Sequence, residues 1–401
     1  MDELANPYRP GAGTPPPALT GRDDLINRFG VSFRRAVAGR PGKSLLMIGL
    51  RGAGKTVLLN RFVEIAEQEG FRVGLIEAPE HGHFPSLLAA RLRRILLPLS
   101  SNVVSTAVTR ALRVLKTFTL QLPDGTRVSI DVDALNGVAD SGNLADDLTD
   151  LLVACGEAAR DRGTGIVLAI DELQYVHPDE LSALIVAIHR TNQLNLPVIL
   201  TGAGLPQLRG LAGEAKSYAE RLFDFPEIGS LSSEDARTAL AVPAAESGAS
   251  IDGAALDIMV ERSHGYPYFL QEWGYHVWNA APQSPITADD VERAAPRVQD
   301  QLDQNFFRVR LDRLTPRERE YLVAMASLGP GSHRSGDIAA ALGVRVESVA
   351  PRRSALIAKG IVYSPAHGDT AFTVPLFDEF LERVSPTADR HHHARGDRRA
   401  G

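Results

Sequence analysis

At 401 residues, 44% apolar and 23% charged, the chain has room for two or three domains, and its composition is that of an ordinary globular protein rather than a disordered one. A net charge of −6 argues against a broadly basic nucleic-acid coat, and the absence of a long charge-free apolar run or apolar leader predicts a cytoplasmic protein with no membrane partner. The single cysteine, Cys155, excludes an internal disulfide and a cysteine-rich zinc site, and its apolar helical surroundings predict inert packing.

Residues 1–19 are rich in Pro and Gly and read as a flexible arm. A helix is expected after Thr20-Gly21-Arg22-Asp23, carrying Leu25, Ile26 and Phe29. Ser44–Ile48 is a short apolar strand that enters a glycine-rich turn. A helix follows from Lys55 to about Glu69, with Leu58, Leu59, Phe62, Val63 and Ala66 at helical spacing and Gly70 as its stop. Arg72–Ile76 is a second strand. Residues 82–162 read as a helical excursion with one hairpin, in which Phe118, Leu120 and Leu122 alternate, Pro123-Asp124-Gly125 turns, and Val128, Ile130 and Val132 alternate back. The third and fourth strands are Ile166–Ile170 and Val198–Gly202, and a fifth lies near Phe225–Ile228.

Strands alternating with helices predict an α/β fold, with a parallel sheet covered on both faces. From 231 to 300 the pattern is helical: Ser232 with Asp235 and Thr287 with Asp290 form helix-start boxes, and Pro267 suits a first helical position. Three short helices and a strand–turn–strand follow to 385. The polar tail 386–401, with His391-His392-His393, reads as a disordered terminus rather than a metal site. The expected domains are therefore 20–230, 231–300 and 301–385.

Gly49-Leu50-Arg51-Gly52-Ala53-Gly54-Lys55-Thr56 fits G-x-x-x-x-G-K-[ST], a match that arises by chance about once in a hundred chains of this length. It also follows an apolar strand and opens an amphipathic helix, as phosphate binding requires. Glycines let backbone N–H groups turn around phosphate oxygens, and the helix N-terminus adds partial positive charge. Gly49, Gly52, Ala53, Gly54, Lys55, Thr56 and Val57 are thus the candidate nucleotide-binding residues. Lys55 is expected on the β- and γ-phosphates of ATP, and Thr56 on Mg²⁺.

Asp171 and Glu172 follow the third strand, at the edge where open α/β sheets bind ligands. Asp171 is the second candidate Mg²⁺ ligand, and Glu172 the candidate general base for water. Thr201, at the end of the fourth strand, is a candidate contact for the γ-phosphate or the lytic water; a threonine bonded to its own backbone is the alternative. Arg221, before the fifth strand, can reach a neighbouring subunit's phosphate, or be an ordinary helix-end arginine.

Over roughly residues 18 to 385 these features resemble the AAA+ superfamily of P-loop ATPases, in the branch shared by origin-recognition initiators and STAND signalling ATPases. The resemblance implies an ATPase with a helical lid after the sheet. Thr20-Gly21-Arg22-Asp23 is similar to the branch's "GRE"-type element, which implies that Arg22 lies near the adenine or phosphates. Gly265-Tyr266-Pro267 is similar to the STAND lid's G-x-P element, which implies that Pro267 meets the nucleotide. Initiator-like members carry a lid arginine as a second sensor; Gly265–Glu272 has none, which weakens an initiator assignment.

In the last segment, Thr315-Pro316-Arg317-Glu318 is a full helix start. Helices over Gly336–Leu342 and Ser348–Lys359, then Ile361–Tyr363 and Ala371–Val374 flanking a turn, give the order of a winged helix. Arg345, Arg352, Arg353 and Lys359 decorate its recognition element and make double-stranded DNA a candidate partner. Over 301–386, however, eleven Lys/Arg stand against ten Asp/Glu, a net of +1, and winged helices also dock proteins. The leading expectation is an ATP-dependent switch that self-assembles and engages DNA. The rival is a signalling or scaffold ATPase with a protein partner.

Overall fold

The computed structural model describes residues 1–11, 13–40, 42–100, 105–125 and 129–385. The chain forms two compact units: Arg9–Gly49 with Ala53–Ala239, and Met1–Tyr8 with Leu50–Gly52 and Leu240–Gly401.

The first unit is built on five parallel strands, β1 (Ser44–Ile48), β2 (Arg72–Glu77), β3 (Ile166–Asp171), β4 (Val198–Gly204) and β5 (Phe223–Asp224), in the order β2-β3-β4-β1-β5. The three inner strands are buried along their whole length, which explains their unbroken apolar runs. Its helices are α1 (Asp23–Val37), α2 (Lys55–Gln68), α3 (Phe84–Leu99), α4 (Thr106–Leu120), α5 (Leu144–Asp161), α6 (Pro178–Gln193), α7 (Leu208–Ala215) and α8 (Ala219–Leu222). Leu45, Met47, Val167, Ala169 and Ile199 pack with Phe29, Phe33, Leu59 and Phe62 of α1 and α2. The alternate strand residues Leu46, Ile48, Leu168, Ile170 and Leu200 pack with α3 to α6. Strands β1, β3 and β4 thus each feed two cores, one on either face.

After α9 (Ser233–Glu246), the second unit contains α10 (Gly253–Ser263), α11 (Pro267–Ala280) and α12 (Ala288–Gln301). A π-helical stretch, Leu302–Arg308, and the turn α13 (Val309–Leu311) lead to α14 (Pro316–Ala326), α15 (Ser335–Leu342) and α16 (Ala350–Ala358). Strands β6 (His333–Arg334), β7 (Val362–Tyr363) and β8 (Asp369–Phe372) form an antiparallel sheet ordered β6-β8-β7, and α17 (Phe377–Val384) closes the described chain.

Three expectations change. Phe118 and Leu120 belong to helix α4, not a strand: Val108, Ala111, Leu112, Leu115 and Phe118 are buried at helical spacing, and a three-residue alternation was too short to show that period. The return partner Val128 falls outside the described residues, as does His391–His393. Residues 1–8 are not a loose arm. Asn6 Nδ2 donates to Tyr275 O and Asn279 Oδ1 at 3.0 and 2.7 Å, Trp278 Nε1 donates to Asp2 O at 2.9 Å, and the Tyr8 ring lies against Gly274. The bulk of Tyr8, 2% exposed, outweighs the Pro/Gly composition. Finally, the fifth strand is shorter and earlier than expected, with a single bridge continuing from Ile48 to Glu227.

Candidate active site

The turn after β1 leads into α2 through Gly54, whose φ of +87° only glycine adopts without strain. Gly52, at +80°, has the same constraint. At Gly49 a side chain is excluded for a different reason: its Cβ would stand 2.1 Å from Ile228 O. Ala53 is buried and Val57 half-buried in the first turn of α2. Lys55 Nζ folds back onto Gly49 O at 3.0 Å, a carbonyl contact that a phosphate oxygen can replace.

Next to it, Thr56 Oγ1 donates to Asp171 Oδ2 at 2.6 Å. This brings the two candidate Mg²⁺ ligands into direct contact across 115 residues of sequence. Burial pushes the Asp171 carboxyl above the usual carboxylate range; the Thr56 hydrogen bond, the Glu172 N–H and the Lys55 charge pull it back, while the Glu172 charge pushes it further up. A bound divalent cation would stabilise the charged form. Hard oxygen donors of this kind fit Mg²⁺, which takes one or two protein ligands and completes its shell with phosphate oxygens and water. Among the described residues no cluster of three His, Cys, Asp or Glu side chains forms a metal cage.

Glu172 adjoins Asp171 with φ of +52°, an uncommon conformation for a residue with a side chain. Its N–H donates to Asp171 Oδ1 at 2.8 Å. The 3-10 turn Leu173–Tyr175 follows, and from it Gln174 Nε2 donates to Glu172 Oε2 while Gln174 Oε1 accepts from Leu205 N at 3.0 Å. Sequence reading missed Gln174. Its one signal was a polar side chain two residues beyond Glu172, and its reach to the end of β4 is a tertiary fact.

Three expected residues remain. Thr201 does not stand at a strand end: β4 continues to Gly204, and Thr201 pairs with Leu45 and Ala169. Ala169 lies two residues before Asp171 on a parallel strand, which recesses Thr201 by about 7 Å from the catalytic edge. Its side chain is fully buried and its hydroxyl has no partner, so it is a core residue. Arg22 donates to Gly229 O at 2.5 Å; burial pulls its pKa below the ordinary arginine value, with Asp235 opposing. Arg221 is exposed at the end of α8.

Leu50–Gly52, the tip of the glycine-rich loop, groups with the second unit. There Gly52 O accepts from Tyr268 N at 3.2 Å, one residue after Pro267, and Arg51 N donates to Thr373 O at 2.9 Å. Leu50–Gly52 alone of the glycine-rich loop thus groups with Gly265–Pro267.

Three of the four cations expected on the recognition element, Arg352, Arg353 and Lys359, have partners within the C-terminal module. Arg353 donates through Nε to Thr370 Oγ1 at 2.8 Å and through Nη2 to Ser364 Oγ at 2.7 Å and Asp369 O at 2.9 Å. Lys359 Nζ pairs with Glu318 Oε2 at 2.7 Å, and Arg352 lies 3.8 Å from Glu320. Lys359 and the Thr315 N-cap bonds hold the Glu318 carboxyl below its ordinary value against the effect of burial. Arg345 is exposed, between the exposed side chains of Val344 and Val346.

Comparison with known proteins agrees with this layout. Residues 18–200 match the AAA ATPase domain family, and residues 304–381 match a domain of unknown function, DUF8462. No curated protein matches the chain in sequence. Among solved structures, the Walker-type ATPase of Pyrococcus abyssi is 16% identical, with 91% of this chain and 96% of that one covered and a TM-score of 0.57. The Holliday junction branch migration motor RuvB of Thermotoga maritima is also 16% identical, over 88% of this chain and 92% of that one, at a TM-score of 0.43. The Aeropyrum pernix ORC1 protein, solved in complex with DNA, is 16% identical over 92% and 94%, at 0.44. Residues 18–200 of the α/β unit are thus similar to an AAA ATPase domain, and the likeness to the Pyrococcus abyssi ATPase is one of fold.

Proposed function

We propose that this chain binds ATP with Mg²⁺ and hydrolyses it to ADP and phosphate, as an AAA+ switch. The observation that carries the reading is the Thr56–Asp171 contact beside Lys55, with Glu172 adjoining: four side chains from two distant strand ends, each of the type phosphoryl transfer needs. Lys55 leaves Gly49 O for the β- and γ-phosphates, Thr56 and Asp171 hold the cation, and Glu172 takes a proton from the attacking water. Bound Mg²⁺ supplies charge neutralisation at the phosphate oxygens. Arg221, exposed on α8, serves a phosphate bound by a neighbouring copy, which makes the working form a homo-oligomer.

The same reading gives the C-terminal module, whose element order is that of a winged helix, a protein partner in preference to DNA. Three of the four cations that suggested DNA contact have partners within the module, and Arg345 stands between two exposed valines. Phosphate backbones need uncommitted cations; a turn whose exposed valines flank Arg345, with the acidic Glu347 beside it, suits a protein surface.

Two measurements test these assignments. Lys55→Ala should lose fluorescent-ATP binding by at least about a hundredfold, and unchanged affinity would end the P-loop assignment. Anisotropy of a labelled duplex at low and moderate salt, with ATP, ADP or neither, should show no salt-sensitive binding. Salt-sensitive binding abolished by Arg345→Glu would restore DNA as the partner.

A further inference from the structure

Gln174 is used at both ends, and this fixes its orientation. Its Oε1 accepts a backbone N–H from Leu205 at 3.0 Å, so the amide end facing Glu172 is the NH₂ group, a donor. We infer that Gln174 is a positioning residue for the hydrolytic base, holding the Glu172 carboxylate in its water-activating orientation and tying it to the end of β4. The inference rests on the hydrolysis proposed above.

The fold reserves space for this amide. Gly202 and Gly204 sit two residues apart on β4 and so face the same side of the strand. A Cβ at Gly202 would meet Leu173 Cδ1 at 2.2 Å, and one at Gly204 would meet Leu208 Cδ2 at 2.8 Å and Gln174 Oε1 at 2.9 Å. Two missing side chains on an otherwise apolar strand therefore admit the 3-10 turn that carries Leu173 and Gln174. Glu172 itself has φ of +52°, a strained conformation that persists only where the surroundings over-determine it. Asp171 Oδ1 holds its backbone N–H, and Gln174 holds its carboxylate.

The chemistry suits a neutral donor. A carboxylate offers about four lone-pair positions, so one amide N–H orients it and leaves capacity for a water proton. A lysine or arginine in the same place would orient it equally well but would compete for the charge that makes it a base. The link to Leu205 N also means that movement at the end of β4 reaches Glu172 through a single side chain.

The test uses the full-length protein, with kcat, KM for MgATP, fluorescent-ADP affinity and thermal melting measured for each variant. Gln174→Ala, and Gln174→Met as a variant of similar length, should lower kcat about 10- to 100-fold and leave KM and ADP affinity within about twofold. Gly204→Ala should lower kcat in the same direction while Gln174 remains, by pressing on its amide. On a Glu172→Gln background, removal of Gln174 should change the residual rate less than about twofold, because a residue that acts through Glu172 has nothing left to position. Unchanged kcat in both Gln174 variants, or an equal loss on the Glu172→Gln background, would overturn the inference and leave the base assignment intact. Full turnover by Glu172→Gln alone would overturn the base assignment and this inference with it.

Discussion

The catalytic edge of the parallel sheet and the module spanning 304–381 use polar side chains in opposite ways. At the sheet edge, Asp171 is 8% exposed and its charge is opposed by burial, while Lys55 rests on a carbonyl and Thr56 on a carboxylate. These are placements that cost stability and that, on the function proposed above, nucleotide and cation would exchange on binding. In the module, Arg353 ties α16 to both ends of the β7–β8 turn, and Lys359 pairs with the helix-capping Glu318. Those charges hold the fold together. Residue type alone does not separate a working charge from a structural one; the partners do.

The comparison can be broken most readily at Arg353. Arg353→Ala leaves Thr370, which is fully buried, and the Asp369 carbonyl without their charged donor, so it should destabilise the protein by about 2–4 kcal/mol in a denaturant melt. ATP turnover per folded molecule should stay at the parent level. A stable variant with a lost nucleic-acid affinity would place Arg353 on an outer face instead.

Asp171→Asn sharpens the comparison from the other side. The folded state raises this carboxyl's pKa, so it favours the protonated form: stability is fullest below the ordinary carboxylate value and falls as pH rises through the raised one. The asparagine variant should therefore melt higher than the parent at neutral pH without nucleotide or Mg²⁺, and the difference should shrink on acidification. It should also lose at least about a hundredfold in hydrolysis. A variant that melts lower at neutral pH would mean that the carboxylate stabilises the fold.

The smallest expected effect is at Thr201. Thr201→Val removes a buried hydroxyl that has no partner, which should stabilise the protein by about 1 kcal/mol and leave kcat unchanged. A substantial fall in kcat would return Thr201 to the catalytic machinery.

Much of the sheet was legible because its inner strands are buried on both faces and so spell unbroken apolar runs ending in Gly49 or Asp171. The P-loop was legible because its glycines and Lys55 are consecutive. Thr201 was misplaced because burial continues through Ala203 and Gly204, and no local feature marks the true end of β4. Gln174 was invisible because its role depends on space left by glycines on another strand. In the module, helix starts such as Thr315–Glu318 are local and were readable, whereas the partners of Arg353 lie across 11 to 17 residues and emerge only on folding.

The most direct test of the central claim is single-turnover hydrolysis of MgATP by the Glu172→Gln variant beside the parent, with nucleotide affinity measured on the same samples. The account predicts that the variant binds ATP with parent affinity and hydrolyses it at least about a hundredfold more slowly. Hydrolysis at the parent rate would contradict it, and would move water activation away from the end of β3.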